Sequence, residues 1–228
     1  MSSKRGIVLY LHVHQPWRVR EYTVFDTAVN HDYFGECKEP HRSNRAIFEK
    51  VADKSYRPMA RLLKQLLDTH PDFKVSLSIS GTMLEQAEAW APDVIDVFRA
   101  LVETGRTEIV ADTYYHSLAF FFSRAEFERQ VALYRAKIRD LFGVETRVFR
   151  NTELSYDNNL AKWADDNGFK GILAEGWDPI LGSRSPNYLY RPINTKHIKL
   201  LMKNYRLSDD IAFRFGNRDW EEFPLRAS

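Results

Sequence analysis

Residues Thr146 to Gly176 read Thr-Arg-Val-Phe-Arg-Asn-Thr-Glu-Leu-Ser-Tyr-Asp-Asn-Asn-Leu-Ala-Lys-Trp-Ala-Asp-Asp-Asn-Gly-Phe-Lys-Gly-Ile-Leu-Ala-Glu-Gly, and their order decides the fold class. Thr146 to Asn151 has the β-branched and aromatic content of a short strand. Asp157 or Asn158 can cap a helix whose apolar positions Leu160, Trp163 and Ala164 share a face. Gly168 suits the residue just past that helix, and Phe169 to Ala174 reads as the next strand. Strand, helix, strand at this spacing predicts a parallel pair. Glu153 then falls just beyond the C-terminal end of the first strand, the edge where ligands bind in parallel α/β folds. A salt-bridged or capping glutamate is the competing reading of that position.

The same alternation extends outward in both directions. Gly6 to Val13 is a nearly all-apolar run, expected to be a strand covered on both faces, and it ends in His12-Val-His14-Gln-Pro-Trp17. Alternation puts His12 and His14 on one side of it, and Pro16 stops it. Arg18 to Asn44 is a long polar loop carrying aromatics, a length usually tied to function. Arg45 to His70 has helical periodicity, with Pro58 expected to break it in two. Asp72 to Ser80 is a second strand, leading into Gly81-Thr-Met-Leu-Glu85-Gln86 and a helical stretch that resumes after Pro92. Thr107 to Asp112 is a third strand, followed by Thr113-Tyr-Tyr-His116 and a helix over Ser123 to Asp140 with a capping box. His197 to Tyr205 is the sixth strand candidate, running into Leu207-Ser-Asp209-Asp210. The expected architecture is α/β, a (β/α) barrel with its site on the C-terminal rim, built from residues 1–228 as one domain.

Composition narrows the function. A net charge of +2 gives no field toward nucleic acid or a membrane surface. The apolar run at the N-terminus is too short for a signal core or a membrane span, so a cytoplasmic protein is expected. Cys37 is the single cysteine, which excludes an internal disulfide and a cysteine-based zinc cluster; its neighbours Glu36 and Lys38 place it in a loop. Aromatic residues reach 14%, and sugar rings stack on such faces, although aromatics also fill cores. No glycine-rich dinucleotide or phosphate loop occurs, and no serine nucleophile elbow. The sequence carries no signal for an oligomeric state.

The polar residues expected on the rim are His12, His14, Glu85, His116, Glu153, Asp209 and Asp210. Two chemistries fit them. Glycoside hydrolysis needs two carboxylates flanking a glycosidic bond. Metal-assisted hydrolysis needs imidazole and carboxylate ligands such as His12 and His14 with an acid. The structural alternatives are a helix cap for the Asp209-Asp210 pair and a dipole-compensating role for Glu85 in a first helical turn.

His14-Gln15-Pro16, Gly81-Thr-Met-Leu-Glu85-Gln86, Glu153 and Leu207-Ser-Asp209-Asp210, in that order and each at a strand end, resemble glycoside hydrolase family 57. That family holds α-amylase-like enzymes, 4-α-glucanotransferases, branching enzymes and amylopullulanases. The resemblance covers nearly the whole chain and implies a (β/α)7-type barrel, incomplete here because no fifth conserved region follows the fourth. It implies a retaining α-glucan-active enzyme that cleaves α-1,4-glucosidic bonds, or a glucanotransferase. Glu153 would be the nucleophile and Asp210 the acid/base, with His12, His14, Glu85, His116 and Asp209 on sugar hydroxyls. Trp17 and Trp177 would be stacking platforms. An α-glucan or malto-oligosaccharide is the implied partner, and neither a cofactor nor a metal is expected. The alternatives are a metal-dependent carbohydrate deacetylase on a related barrel, which would need an Asp-Asp pair after the first strand, and a non-catalytic glucan-binding module.

Overall fold

A computed structural model of the chain describes residues 6–35, 37, 41–218, 220 and 221. The chain divides into two compact units, one of Met1–Ala119 with Ser123–Thr146 and one of Phe120–Phe122 with Arg147–Ser228. Each carries a three-stranded sheet whose strands are all parallel, in the orders β1-β2-β3 and β4-β5-β6. The expectation of α/β structure with parallel strands holds. Among the described residues the strand pairing is confined to these two sets of three, and the incomplete (β/α)7 barrel is a matter for proposal.

In the first unit β1 (Tyr10–Val13) pairs with β2 (Val75–Ile79), Tyr10 opposite Ser76, and β2 pairs with β3 (Thr107–Ile109). The first strand is therefore shorter than Gly6 to Val13. Ile7 and Val8 are exposed, since β2 begins only at Val75 and offers nothing further back to pair with. Nor is β1 covered on both faces: of its four residues only Val13 is buried. Among the described residues of the Arg18–Asn44 loop, Val24–Asp26 forms a 3-10 turn. Its base is closed by Asn44, whose side chain accepts from the Arg18 N–H and donates to the Arg18 carbonyl, both at 2.9 Å. Glu36 and Lys38, the neighbours used to place Cys37, lie outside the described residues, as does the segment after Glu221.

Helix α1 (Asn44–Val51) passes through a π-helical turn, Ala52–Tyr56, directly into α2 (Arg57–Thr69). Pro58 does not break the helix. It sits in the first turn of α2, and the wider π turn before it spares the clash between a proline ring and the carbonyl four residues back. Helices α3 (Gly81–Trp90), α4 (Pro92–Val102) and α5 (Arg124–Phe142) complete the unit, with Ser123 capping α5 by accepting from the Glu126 N–H. Phe48, Leu67, Leu77, Ile79, Phe98 and Tyr134 are sealed in its core, each apolar side chain contributing about 1.5–3 kcal/mol by leaving water.

The second unit follows the quoted stretch closely. β4 (Val148–Arg150) leads through a 3-10 turn, Thr152–Leu154, to α6 (Asn158–Asp166) and back to β5 (Gly171–Glu175). Asp157 caps α6 by accepting from the Leu160 N–H at 2.7 Å. Gly168, at φ 81°, adopts the left-handed turn that only glycine takes without cost. Phe149, Trp163 and Phe169 pack ring on ring at 5.4–5.9 Å between helix and sheet. α7 (Asp178–Leu181), β6 (Lys199–Lys203) and α8 (Tyr205–Asp209) follow, and a π-helical turn over Asp210–Arg214 extends α8. Asn204 caps α8 through the Leu207 N–H. The Asp209-Asp210 pair therefore does not start α8: it lies at the far end of a helix that Asn204 has already started.

Candidate functional site

The C-terminal ends of β1, β2 and β3 gather the polar side chains of the first unit. His12 lies on β1 and His14 one residue past it, and their rings stack face to face at 5.6 Å and 4°. His116 joins them, 4.6 Å from His12 and 4.4 Å from His14 between ring centroids. His14 Nδ1 lies 2.8 Å from Ser80 Oγ, and Ser80 also caps α3 through the Met83 N–H. The start of that helix thus sets the angle of His14. Asp112 stands beneath the group, wholly buried. Its Oδ1 accepts from the Thr113 N–H at 2.7 Å, while Oδ2 lies 3.0 Å from His116 Nδ1 and 3.6 Å from His12 Nε2.

Gln15 and Gln86, which flank His14 and Glu85 in the sequence, clamp the strand end. The Gln86 side-chain amide donates to the Gln15 carbonyl at 2.9 Å and to the Thr82 carbonyl at 3.1 Å. The Tyr56 hydroxyl donates to Gln15 Oε1 at 3.1 Å, and burial pushes the Tyr56 phenol up to about 12. Glu85 Oε2 accepts from the Trp17 indole N–H at 3.1 Å. Trp17 in turn packs edge-on against Trp90 at 5.3 Å, so its ring is partly committed to protein. Tyr114 is shifted upward, chiefly by burial and then by the charge and hydrogen bond of Glu85. Gly81 leaves room for it: a Cβ there would come within 2.5 Å of the Tyr114 ring.

In the second unit Glu153 stands at the C-terminal end of β4, exposed to solvent. It and Leu154 both adopt left-handed backbone, at φ 56° and 55°. Two such non-glycine residues in succession each cost on the order of 1–3 kcal/mol, held by the surrounding structure. The holding bonds are visible: Leu154 N–H donates to the Asn151 carbonyl, Ser155 N–H to the Thr152 carbonyl, and Asn151 Nδ2 to Ser155 Oγ. Asp210 is fully buried. Its Oδ1 accepts from the Arg214 guanidinium at 3.0 Å and the Glu221 N–H at 2.9 Å. The bond to Asp210 is the main cause of an upward shift at Arg214. Asp209 is half-buried, and Trp177 is 58% exposed beside α7.

Sequence reasoning thus gathered His12, His14 and His116, but missed Asp112, Ser80 and Arg214. An Asp four residues before a His, directly after a strand, was the available signal for Asp112.

The model of glycosyl hydrolase family 57 matches residues 8–228. The chain belongs to this family. It is 44% identical over 222 residues to a Methanocaldococcus jannaschii protein provisionally named an alpha-amylase, covering 97% of this chain and 46% of that protein. The 4-alpha-glucanotransferase of Thermococcus litoralis is similar in fold, with a TM-score of 0.67 and 22% identity over 91% of this chain and 29% of that one. The family 57 branching enzyme of Pyrococcus horikoshii has the same TM-score at 16% identity, covering 97% of this chain and 51% of that one. This family 57 chain spans under half the length of that Methanocaldococcus jannaschii relative. Among its described residues no helix is long and apolar enough to cross a membrane.

Proposed function

We propose that this chain carries the catalytic carboxylates of a retaining α-glucan-active glycosidase, an α-amylase-like hydrolase or the related 4-α-glucanotransferase. At the level of fold, the proposal retains a single (β/α)7-type catalytic domain acting on an α-glucan or malto-oligosaccharide. The observation that supports it most is Glu153: an exposed carboxylate at a strand's C-terminal end, on strained backbone, in a family of glycosyl hydrolases. Its carboxylate attacks the anomeric carbon and the glycosidic C–O bond breaks, leaving a β-linked glycosyl-enzyme ester. Asp210 gives its proton to the departing oxygen, then takes one from the water or sugar hydroxyl that displaces Glu153. Because Asp210 rests in a buried pair with Arg214, acid catalysis requires that pair to loosen as substrate binds. His12, His14, His116 and Glu85 present polar atoms suited to sugar hydroxyls, with Trp177 as the freer stacking face.

The test separates the two roles. Glu153→Gln should lower α-glucan hydrolysis by several orders of magnitude while sparing substrate binding, measured by reducing-sugar release and by calorimetry. Asp210→Asn should remain active on an aryl α-glucoside, whose leaving group needs little protonation, and slow on natural glucan. Azide should then yield an α-glycosyl azide of retained configuration from Asp210→Asn, since an anion needs no general base. Near-normal glucan hydrolysis by Glu153→Gln would refute the assignment, and the activated-substrate pattern from Asp209→Asn would move the acid/base by one residue.

A further inference from the structure

Asp112 is fully enclosed, and a buried charge is retained where something positive compensates it. Its Oδ1 is fixed by the Thr113 N–H at 2.7 Å, which leaves Oδ2 directed at two imidazole nitrogens, His116 Nδ1 at 3.0 Å and His12 Nε2 at 3.6 Å. Donors bound to one ion at about 2.0–2.1 Å lie roughly 3.0–3.4 Å apart. The ligand atoms of His12, Asp112 and His116 all lie within 4.8 Å of one another, so small rotations of the rings close the set. His116 reaches its place on left-handed backbone, φ 53°, in a segment tied by Thr113, whose Oγ1 accepts from the Ser117 N–H at 2.8 Å.

We propose that His12, Asp112 and His116 bind a divalent transition-metal ion of the zinc class. Two neutral imidazoles and one carboxylate suit zinc, and three protein ligands leave a coordination position open. His12 lies near the carboxyl end of β1, and Asp112 and His116 follow that of β3, the edge where parallel sheets take their ligands. Thr113 supplies the bond that orients the carboxylate, the role usually filled around metal ligands by neighbouring donors. His14 is outside the set: its Nδ1 is engaged with Ser80. The pairing is therefore not the His12 with His14 that proximity in sequence presents, and the proposal departs from the expectation of no metal by drawing on β1 and the loop after β3. An ion here takes His12 and His116 in place of the sugar hydroxyls proposed for them, while the covalent chemistry of Glu153 uses no ion.

Zinc added to chelator-treated chain should bind at one equivalent in calorimetry, and cobalt should give a visible ligand-field spectrum. His12→Ala, Asp112→Asn and His116→Ala should each weaken zinc by about 100-fold or more. His14→Ala and the exposed His197→Ala should stay within a few-fold of the unaltered chain. Zinc-edge X-ray absorption on the unaltered chain keeps the test independent of variants that fail to fold. Two imidazoles and one carboxylate oxygen at about 2.0–2.1 Å would support the site. Absence of micromolar binding, binding that survives all three ligand substitutions, or a different donor set would overturn it. Glu153→Gln should leave zinc stoichiometry unchanged, so loss of the metal site and loss of the glycosidase assignment are distinguishable.

Discussion

Gly81 opens α3 after β2 at a point where a side chain would crowd Tyr114. Its N–H donates to the Tyr114 carbonyl at 2.9 Å, and the Tyr114 ring lies flat over its Cα. In Gly81→Ala the new methyl would meet three ring carbons at 2.5–2.6 Å. Tyr114 is 4% exposed and cannot swing clear without disturbing the start of α3. We expect a loss of about 1–3 kcal/mol, the usual cost of overpacking a filled site, read from urea midpoints; wild-type stability would mean that the ring is free to move. The same neighbourhood shows what single residues reveal in sequence. His12 and His14 share a side because strand alternation is geometric, and their stacked rings follow from it. Asp112 escaped notice because its partners are set by a turn: Asp112 to His116 has helical spacing, but the chain there is not helical and His116 is left-handed. The strain at Glu153 was equally invisible, since nothing in Thr-Glu-Leu-Ser announces two left-handed residues without glycine.

Element by element, the strand–helix–strand core of the second unit was readable because its signals are local: Asp157 at the start of α6, Gly168 at its end, apolar positions on one face. Where the chain's behaviour depended on a distant neighbour, the reading failed. The first strand could not extend back to Gly6 because β2 starts at Val75, a fact of the other strand. Asp209 and Asp210 had the residue type of a cap, yet Asn204 upstream had taken that role. The polar approach to β6 is governed in a comparable way by Asp165 on α6. Its carboxylate accepts from the N–H groups of Lys196, His197 and Ile198 at 2.5–3.0 Å, and these bonds, led by Lys196, hold its pKa below the ordinary 3.8. A lowered pKa means stability that is present above about 3.8 and lost as pH falls below it. Asp165→Ala should therefore cost about 1–2 kcal/mol at neutral pH, a partly screened set of charge-assisted bonds. Hydrogen exchange should accelerate first at residues 196–200, whereas a uniform change across the chain would show that Asp165 does not act on β6.

At the scale of the molecule, stability at high pH is limited by buried tyrosines in both compact units. Burial pushes Tyr56 in the first unit and Tyr156 in the second up to about 12, and shifts Tyr114 and Tyr134 upward as well. Tyr134 is sealed between sheet and helix, donating to the Val110 carbonyl at 3.1 Å, and Tyr56 holds the Gln15 side chain at the end of β1. Each folded-state value lies above the unfolded 10.0. The sign follows: below pH 10 both states keep the proton and nothing is lost, while between about 10 and 12 the unfolded chain ionises and the folded one does not. Each unit of pKa difference is worth about 1.4 kcal/mol once both states have titrated, before discounting for the solvent that reaches these rings. The urea midpoint should thus be flat from pH 8 to 9.5 and fall steadily above pH 10, with the phenolate absorbance of the buried tyrosines appearing together with unfolding. Tyr56→Phe removes one ionising group at the cost of the hydroxyl's bonds to Gln15 Oε1 and the His14 carbonyl, so its midpoint should start slightly lower and decline less steeply. Phenolate absorbance that rises fully at pH 10 in a chain still folded would show that these tyrosines are open to solvent, and the argument from burial would fail.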